Sequence, residues 1–359
     1  MTQLSSYITE AQVMMAQELI NQSSTIVILT HISPDGDAMG SSLAMRHFLE
    51  AQSKQVSVIV PNSFPDFLAW LPGADQHIIY EHRQAEADAL LEQAELVICT
   101  DFNDPKRIGS LGEKMLSLTC KKMMIDHHLF PADFPDLTIS YPACPSTCEL
   151  VYRLITRLSP MIDTRSPISE DIATCIYTGM MTDTGNFSFN SNYAEMYQIV
   201  GDLVAAGVNK DAIYNRVFNA YSADRMRLMG YCLYQKMKIY PEHHTALIYL
   251  SRKELYRFNF QSGDAEGIVN LPLQIKDVYY SVFMREDKVS PAERGLAKGG
   301  KSKIKISLRS QGNRPVNVFA KEVFDGGGHA NASGGEFYGS LPAAVQRFIE
   351  NFRDYFTVE

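Results

Sequence analysis

Short apolar runs that end on an acid or a histidine constrain this chain more than any other feature. Thr25-Ile-Val-Ile-Leu-Thr30, Val56 to Val60, Leu96-Val-Ile-Cys-Thr100 and Lys122-Met-Met-Ile125 have the length and residue types of buried strands. Three of them lead directly into His31, Asp101 and Asp126. Segments with helical apolar spacing, Tyr7 to Ile20 and Ala38 to Ala51, lie between or before them. Strands alternating with helices predict an α/β fold with a doubly wound, mainly parallel sheet. Loops that follow parallel strands gather at one edge of such a sheet, where ligands bind.

With 359 residues the chain exceeds one ordinary domain, and two is the prior. The texture changes after a mainly helical stretch from Asn192 to Met237. The expected division is a catalytic domain over 1–191, a helical connector over 192–238 and a smaller α/β domain over 239–359. In that last part His244 to Leu250, Val278 to Met284, Lys303 to Leu308 and Val316 to Ala320 read as strands. Lys288 to Lys301 reads as a loop, and Leu341 to Tyr355 as a closing helix.

Net charge is −8, but Arg285 to Lys321 holds ten basic and three acidic residues. An acidic body with one basic segment does not suit duplex DNA, which meets a broad basic face. It suits a small anionic substrate. No apolar run reaches the roughly 18–20 residues needed to span a bilayer. No signal-peptide pattern opens the chain, so a cytoplasmic location without membrane attachment is the expectation. The six scattered cysteines are then reduced thiols, and Cys144 and Cys148 read as buried residues rather than a zinc pair.

The polar tips of these strands carry the chemistry. His31-Ile-Ser-Pro-Asp35-Gly-Asp37, Asp101, Asp126-His127-His128 and Asp183 would crowd several carboxylates and imidazoles together. Without cations between them they would repel and desolvate one another. Two divalent ions about 3.5–4 Å apart lower the pKa of a shared water and neutralise a phosphoryl group. The cluster therefore reads as a two-metal site for phosphate chemistry. A Gly-rich turn at Gly326-Gly327-Gly328-His329 offers backbone N–H groups and an imidazole to a phosphate. Arg309 can grip one with two prongs. Arg107, six residues past Asp101, has the reach to meet a phosphate too, but reads rather as a surface arginine.

In this order the motifs resemble those of the DHH phosphoesterase superfamily. Gly326 to Gly335, preceded by Ile306-Ser-Leu-Arg309-Ser310, resembles its DHH-associated C-terminal domain. The NrnA-type nanoRNase/pAp phosphatase branch is the nearest likeness, and Ser262-Gly-Asp264-Ala-Glu266-Gly-Ile-Val-Asn270 is similar to that branch too. The resemblance implies that His31, Asp35 and Asp101 hold one manganese and that Asp37, Asp101, His127 and Asp183 hold a second. Asp101 would bridge them, His128 would face the scissile phosphate, and Asp126 would orient a metal ligand, as metal-bound imidazoles usually require. Arg309, Ser310, Gly327, Gly328 and His329 would bind substrate. Mixed imidazole and carboxylate ligands favour Mn²⁺, with Mg²⁺ as a substitute. Where many relatives carry another glycine, this chain has Phe324-Asp325 before the glycines.

The activity implied is a manganese-dependent oligoribonuclease. It would cut short single-stranded RNA of about two to five nucleotides to mononucleotides and convert pAp to AMP. The alternative is a phosphodiesterase for cyclic or linear dinucleotide messengers. A RecJ-type exonuclease would want further domains, a pyrophosphatase would lack the Gly326–Gly335 motif, and a non-catalytic sensor would have lost ligands. A homodimer is compatible with the family.

Overall fold

The computed structural model describes residues 7–158, 167–261, 263–287 and 302–356. The Lys-rich stretch expected as a loop and Ser262 lie outside them. Two compact units are present, Met1–Ala220 and Tyr221–Glu359.

The first unit runs α1 (Glu10–Gln22), β1 (Thr25–Leu29), α2 (Gly36–Glu50), β2 (Gln55–Val60), β3 (Ile78–Ile79), α3 (Gln84–Gln93) and β4 (Leu96–Thr100). It continues with α4 (Ser110–Ser117), β5 (Lys121–Asp126), β6 (Leu137–Ser140), α5 (Thr147–Leu158), α6 (Glu170–Asp183), α7 (Ala194–Ala205) and α8 (Lys210–Phe218). The strands form one wholly parallel sheet in the order β3-β2-β1-β4-β5-β6. Strand side chains alternate between two faces. Ile26, Ile28, Ile98 and Ile125 pack on one side with residues of α2, α5 and α6. Val27, Leu29, Val97 and Met124 pack on the other, with Ala87 and Leu91 of α3 and Leu111 and Met115 of α4. Covered on both faces, the strands read as unbroken apolar runs rather than alternating ones. Asp183 is the last residue of α6.

The second unit holds α9 (Ala223–Tyr231), β7 (Lys238–Tyr240), β8 (Thr245–Leu250), α10 (Arg252–Arg257), β9 (Tyr280–Asp287) and β10 (Ser302–Ser310). It closes with α11 (Asn317–Phe324), β11 (Gly327–His329), β12 (Ala332–Gly339) and α12 (Leu341–Tyr355). Its sheet runs β11-β12-β10-β9-β8-β7, with β8 and β9 parallel and the other pairs antiparallel. One face carries α11 and α12 over Val282, Met284, Ile304, Ile306 and Leu308. The other packs Leu228, Cys232, Leu255 and Ile268 on Ile248, Leu250 and Phe283.

Two readings change. Val316 to Ala320, expected as a strand, is the start of α11. Val316 and Val318 mimic strand alternation over five residues. The buried set Val316, Phe319, Ala320, Val323 and Phe324 shows the helical period once the window is extended. The stretch 192–238 divides between the units. Met196, Ile199 and Leu203 of α7 and Ile213 and Val217 of α8 join the first core, whereas Leu228 of α9 joins the second.

Candidate metal centre

The strand order reverses between β1 and β4, and the loops after these two strands diverge to leave a crevice at the carboxyl edge. His31 leaves β1 and Asp101 leaves β4 at that crevice. His31 Nε2 lies 3.2 Å from Asp101 Oδ2 and 3.9 Å from Asp35 Oδ1. Its Nδ1 sits 2.9 Å from the Ile32 carbonyl, so Nε2 is the nitrogen turned to the acids. Asp101 holds a left-handed backbone at φ 62°, and so do Ser33, two residues past His31, and Phe130, two past His128. Such conformations cost an L-residue free energy and recur at functional sites. Asp35 also caps α2, its Oδ1 accepting from the N–H groups of Asp37 and Ala38 at 3.1 Å each. The plain capping role and a place in the cluster therefore coexist.

Asp37 is buried at the start of α2, where the first amides of α5 receive it. Thr147 N donates to Oδ2 at 2.6 Å and Cys148 N to Oδ1 at 2.8 Å, so the positive end of that helix faces the carboxylate. Close packing of the helices makes this meeting possible. A Cβ on Gly179 of α6 would fall 2.2 Å from Cys148 Sγ, and one on Gly40 of α2 2.5 Å from the Cys175 carbonyl. The same packing carries Asp183 to Asp37. His127 Nε2 lies 3.4 Å from Asp183 Oδ2, 3.6 Å from Asp101 Oδ1 and 3.7 Å from Asp37 Oδ2. Its Nδ1 sits 3.0 Å from the Cys144 carbonyl.

The charges are out of balance, as the motifs implied. Burial, with the charges of Asp101 and Asp183, pushes the Asp37 carboxyl well above the usual range. Burial also opposes ionisation of Asp101, but the hydrogen bond with His31 and the fields of His128 and His127 outweigh it and hold that carboxyl low. Desolvation would lower His127, yet Asp183, Asp37 and Asp101 raise it to about 9. His31, Asp35 and Asp101 bring donor atoms within 4.8 Å of one another, and so do Asp37, His127 and Asp183. Each group could take one divalent cation. Both imidazoles offer Nε2 with Nδ1 tied to a backbone carbonyl, as metal-binding histidines commonly do. The residues fit such ions, which would relieve the repulsion just described.

Asp126 turns to His128 rather than His127. Its Oδ2 accepts the His128 N–H at 2.7 Å and its Oδ1 lies 2.8 Å from His128 Nδ1. Burial lowers the His128 pKa, with Arg107 adding to it against Asp126.

In the second unit, Arg309 lies near the end of β10, opposite Ala332. The glycine run expected as a turn is strand β11, paired Gly327 to Gly334, Gly328 to Ser333 and His329 to Ala332. Gly328 holds φ 132°, and a Cβ there would meet the Ala332 carbonyl at 2.6 Å. Gly327 is different: a Cβ would meet nothing within 4 Å. Ser310 Oγ donates to the Arg314 carbonyl and accepts from Asn331 Nδ2 at 2.9 Å, tying the hairpin tip to β10.

The model of the DHH family, N-terminal domain, matches residues 25–180, and that of the DHHA1 domain matches residues 246–357. The crystal structure of an exopolyphosphatase-related protein from Bacteroides fragilis is 47% identical. It aligns with a TM-score of 0.88 over 98% of each chain. The chain belongs to the DHH family. Within that family it is similar to the bifunctional oligoribonuclease and PAP phosphatase NrnA of Thermus thermophilus, at 27% identity over 92% of this chain and 90% of that protein. The protein of the same name from Bacillus subtilis is 24% identical over 90% of this chain and 94% of its own.

Within the DHH domain, sequence reasoning missed Thr147 and Asn103. Asn103 Nδ2 donates to the Leu129 carbonyl at 2.6 Å and its own carbonyl accepts from Ala132 N at 2.8 Å, which clamps the loop after the DHH residues. Ser146-Thr-Cys-Glu149 matches a helix-start pattern, and Ser146 Oγ does accept from Glu149 N at 3.2 Å. That signal locates the start of α5 but not the carboxylate it receives. Arg107, expected on the surface, is half-buried.

Proposed function

We propose that this chain hydrolyses short oligoribonucleotides to mononucleotides and pAp to AMP, with two divalent cations, manganese foremost. The observation that carries the reading is the pair of Asp101 oxygens. Oδ2 faces His31 Nε2 at 3.2 Å and Oδ1 faces His127 Nε2 at 3.6 Å, the disposition of a carboxylate shared between two ions. His31 and Asp35 would complete one ion's ligands, and Asp37, His127 and Asp183 the other's. Such a pair, when bound, supplies hydroxide near neutral pH and charge neutralisation.

The protein's own groups do the rest. Asp126 takes Nδ1 of His128, which leaves the phosphate contact to Nε2. Arg309, His329 and the amides of Gly327 and Gly328 bind further substrate phosphate. The open space over Gly327 supports a close approach there, and Ser310 holds the hairpin in place. The similarity to the NrnA proteins supports the choice of substrate.

Purified protein supplied with manganese is expected to convert a 5′-labelled dinucleotide to mononucleotides, and Asp101→Asn to abolish turnover with an unchanged circular dichroism spectrum. Rates on pAp, cyclic dinucleotides, pyrophosphate and polyphosphate belong in the same series. Polyphosphate turned over with all nucleotides inert would overturn the reading.

A further inference from the structure

We propose that Arg107 is a phosphate-binding residue of this centre, its guanidinium taking a non-bridging oxygen of the phosphate held over the acid–histidine cluster. The proposal rests on the phosphoesterase reading above and adds a residue to it. Beyond Asp101, Asp104 Oδ1 accepts from Lys106 N at 2.9 Å and the Asp104 carbonyl accepts from Arg107 N at 2.9 Å. Pro105 stands at the first position of that short turn, where its fixed φ suits it. The Arg107 carbonyl in turn accepts from Ile32 N at 2.9 Å, joining the loop after β4 to the loop that carries His31. The backbone of Arg107 is therefore held between the two loops that line the crevice.

Its side chain is in an unusual position for a structural arginine. Nη1 is buried and has no hydrogen-bond partner among the described residues. Arg225, whose Nε is also buried without a partner, at least donates through Nη2 to the Glu266 carbonyl and stacks on Tyr221. Among the described residues Arg107 makes no ion pair, although Asp35, Asp101 and Asp126 lie in the same crevice. A buried guanidinium nitrogen without an acceptor costs folding free energy. A bound anion would give that nitrogen its acceptor. The bond from Ile32 N to its carbonyl keeps Arg107 beside the residue that follows His31, in the loop that Asp101 opens. Phosphoryl oxygens suit it in charge and in the geometry of its planar fork.

Two variants separate this role from a packing role. For Arg107→Met, KM for a dinucleotide is expected to rise about ten- to a hundredfold. The thermal midpoint of the substrate-free protein should stay level or rise, because a buried guanidinium nitrogen without an acceptor is removed. Equilibrium dialysis with a methylene-phosphonate dinucleotide should show the same loss of binding without turnover. Arg107→Ala should regain part of its rate on adding guanidinium ion. A midpoint that falls by several degrees with KM unchanged would overturn the proposal and make Arg107 structural. If wild-type protein cleaves polyphosphate but no dinucleotide, the substrate reading fails. The Arg107 assignment is then decided by the same KM shift measured on polyphosphate. Wild-type protein inert on every phosphate compound tested would overturn both.

Discussion

The hydroxyl of Thr147 donates to Asp101 Oδ1 at 2.9 Å while its backbone N–H donates to Asp37 Oδ2 at 2.6 Å. One fully buried residue thus sets the separation of two carboxylates, one from the first turn of α2 and one from the loop after β4. Outer partners of this kind tune ligand orientation, and losing one typically costs 10–100-fold in metal affinity or activity.

Thr147→Val keeps the shape and the backbone donor but removes the hydroxyl. It is expected to weaken manganese binding about tenfold, read by electron paramagnetic resonance of the free ion, and to lower kcat at limiting metal. Thr147→Ser should restore both. Equal affinity in the wild type and the valine variant would show that the hydroxyl does not position Asp101.

Glu254 offers a pH-dependent test in the second unit. Its Oε1 accepts from Lys236 Nζ at 2.8 Å and Tyr231 OH at 2.6 Å, and its Oε2 from Ser251 N at 2.8 Å. Burial opposes ionisation, but these partners outweigh it and bring the carboxyl from 4.5 to about 2. A folded-state value below the unfolded one adds stability above pH 4.5 that is lost as pH falls toward about 2. Allowing for partial exposure, Glu254→Gln should lower unfolding free energy by about 2 kcal/mol at neutral pH. The gap between the variants should close on acidification, as urea titrations at several pH values would show. A gap that persists into strong acid would exclude the ionised carboxylate as its source.

Asp325 ends α11 in a left-handed conformation at φ 48°. Aspartate tolerates that region better than most residues, but glycine pays no Cβ penalty there. Asp325→Gly is expected to raise stability by about 1 kcal/mol in denaturant titration, and no gain would show that the exposed acid compensates locally.

What the chain declares on its own is local. Leu96 to Thr100 is a strand with the bounds its apolar run predicts, and Leu341 to Tyr355 is a helix with the bounds its spacing predicts. His31, Asp101 and Asp126 fall at strand ends because strand length and burial are written in consecutive residues. The capping signal at Ser146 to Glu149 is local as well. Val316 to Ala320 misled because five residues are too few to tell a period of 2 from one of 3.6.

Tertiary structure alone decided the rest. The order β3-β2-β1-β4-β5-β6 puts the β1 and β4 loops beside each other, although His31 and Asp101 are far apart along the chain. Thr147 reaches Asp101 across 46 positions and Asp37 across 110. Gly40 marks a helix start that permits close approach, but that Gly179 of α6 is what meets Cys148 has no signature in spacing. Burial of Arg107 Nη1 depends on which loops fold over it. Periodicity records which face of an element is apolar, but not which other element covers that face, and the donor geometry of this site depends on the second.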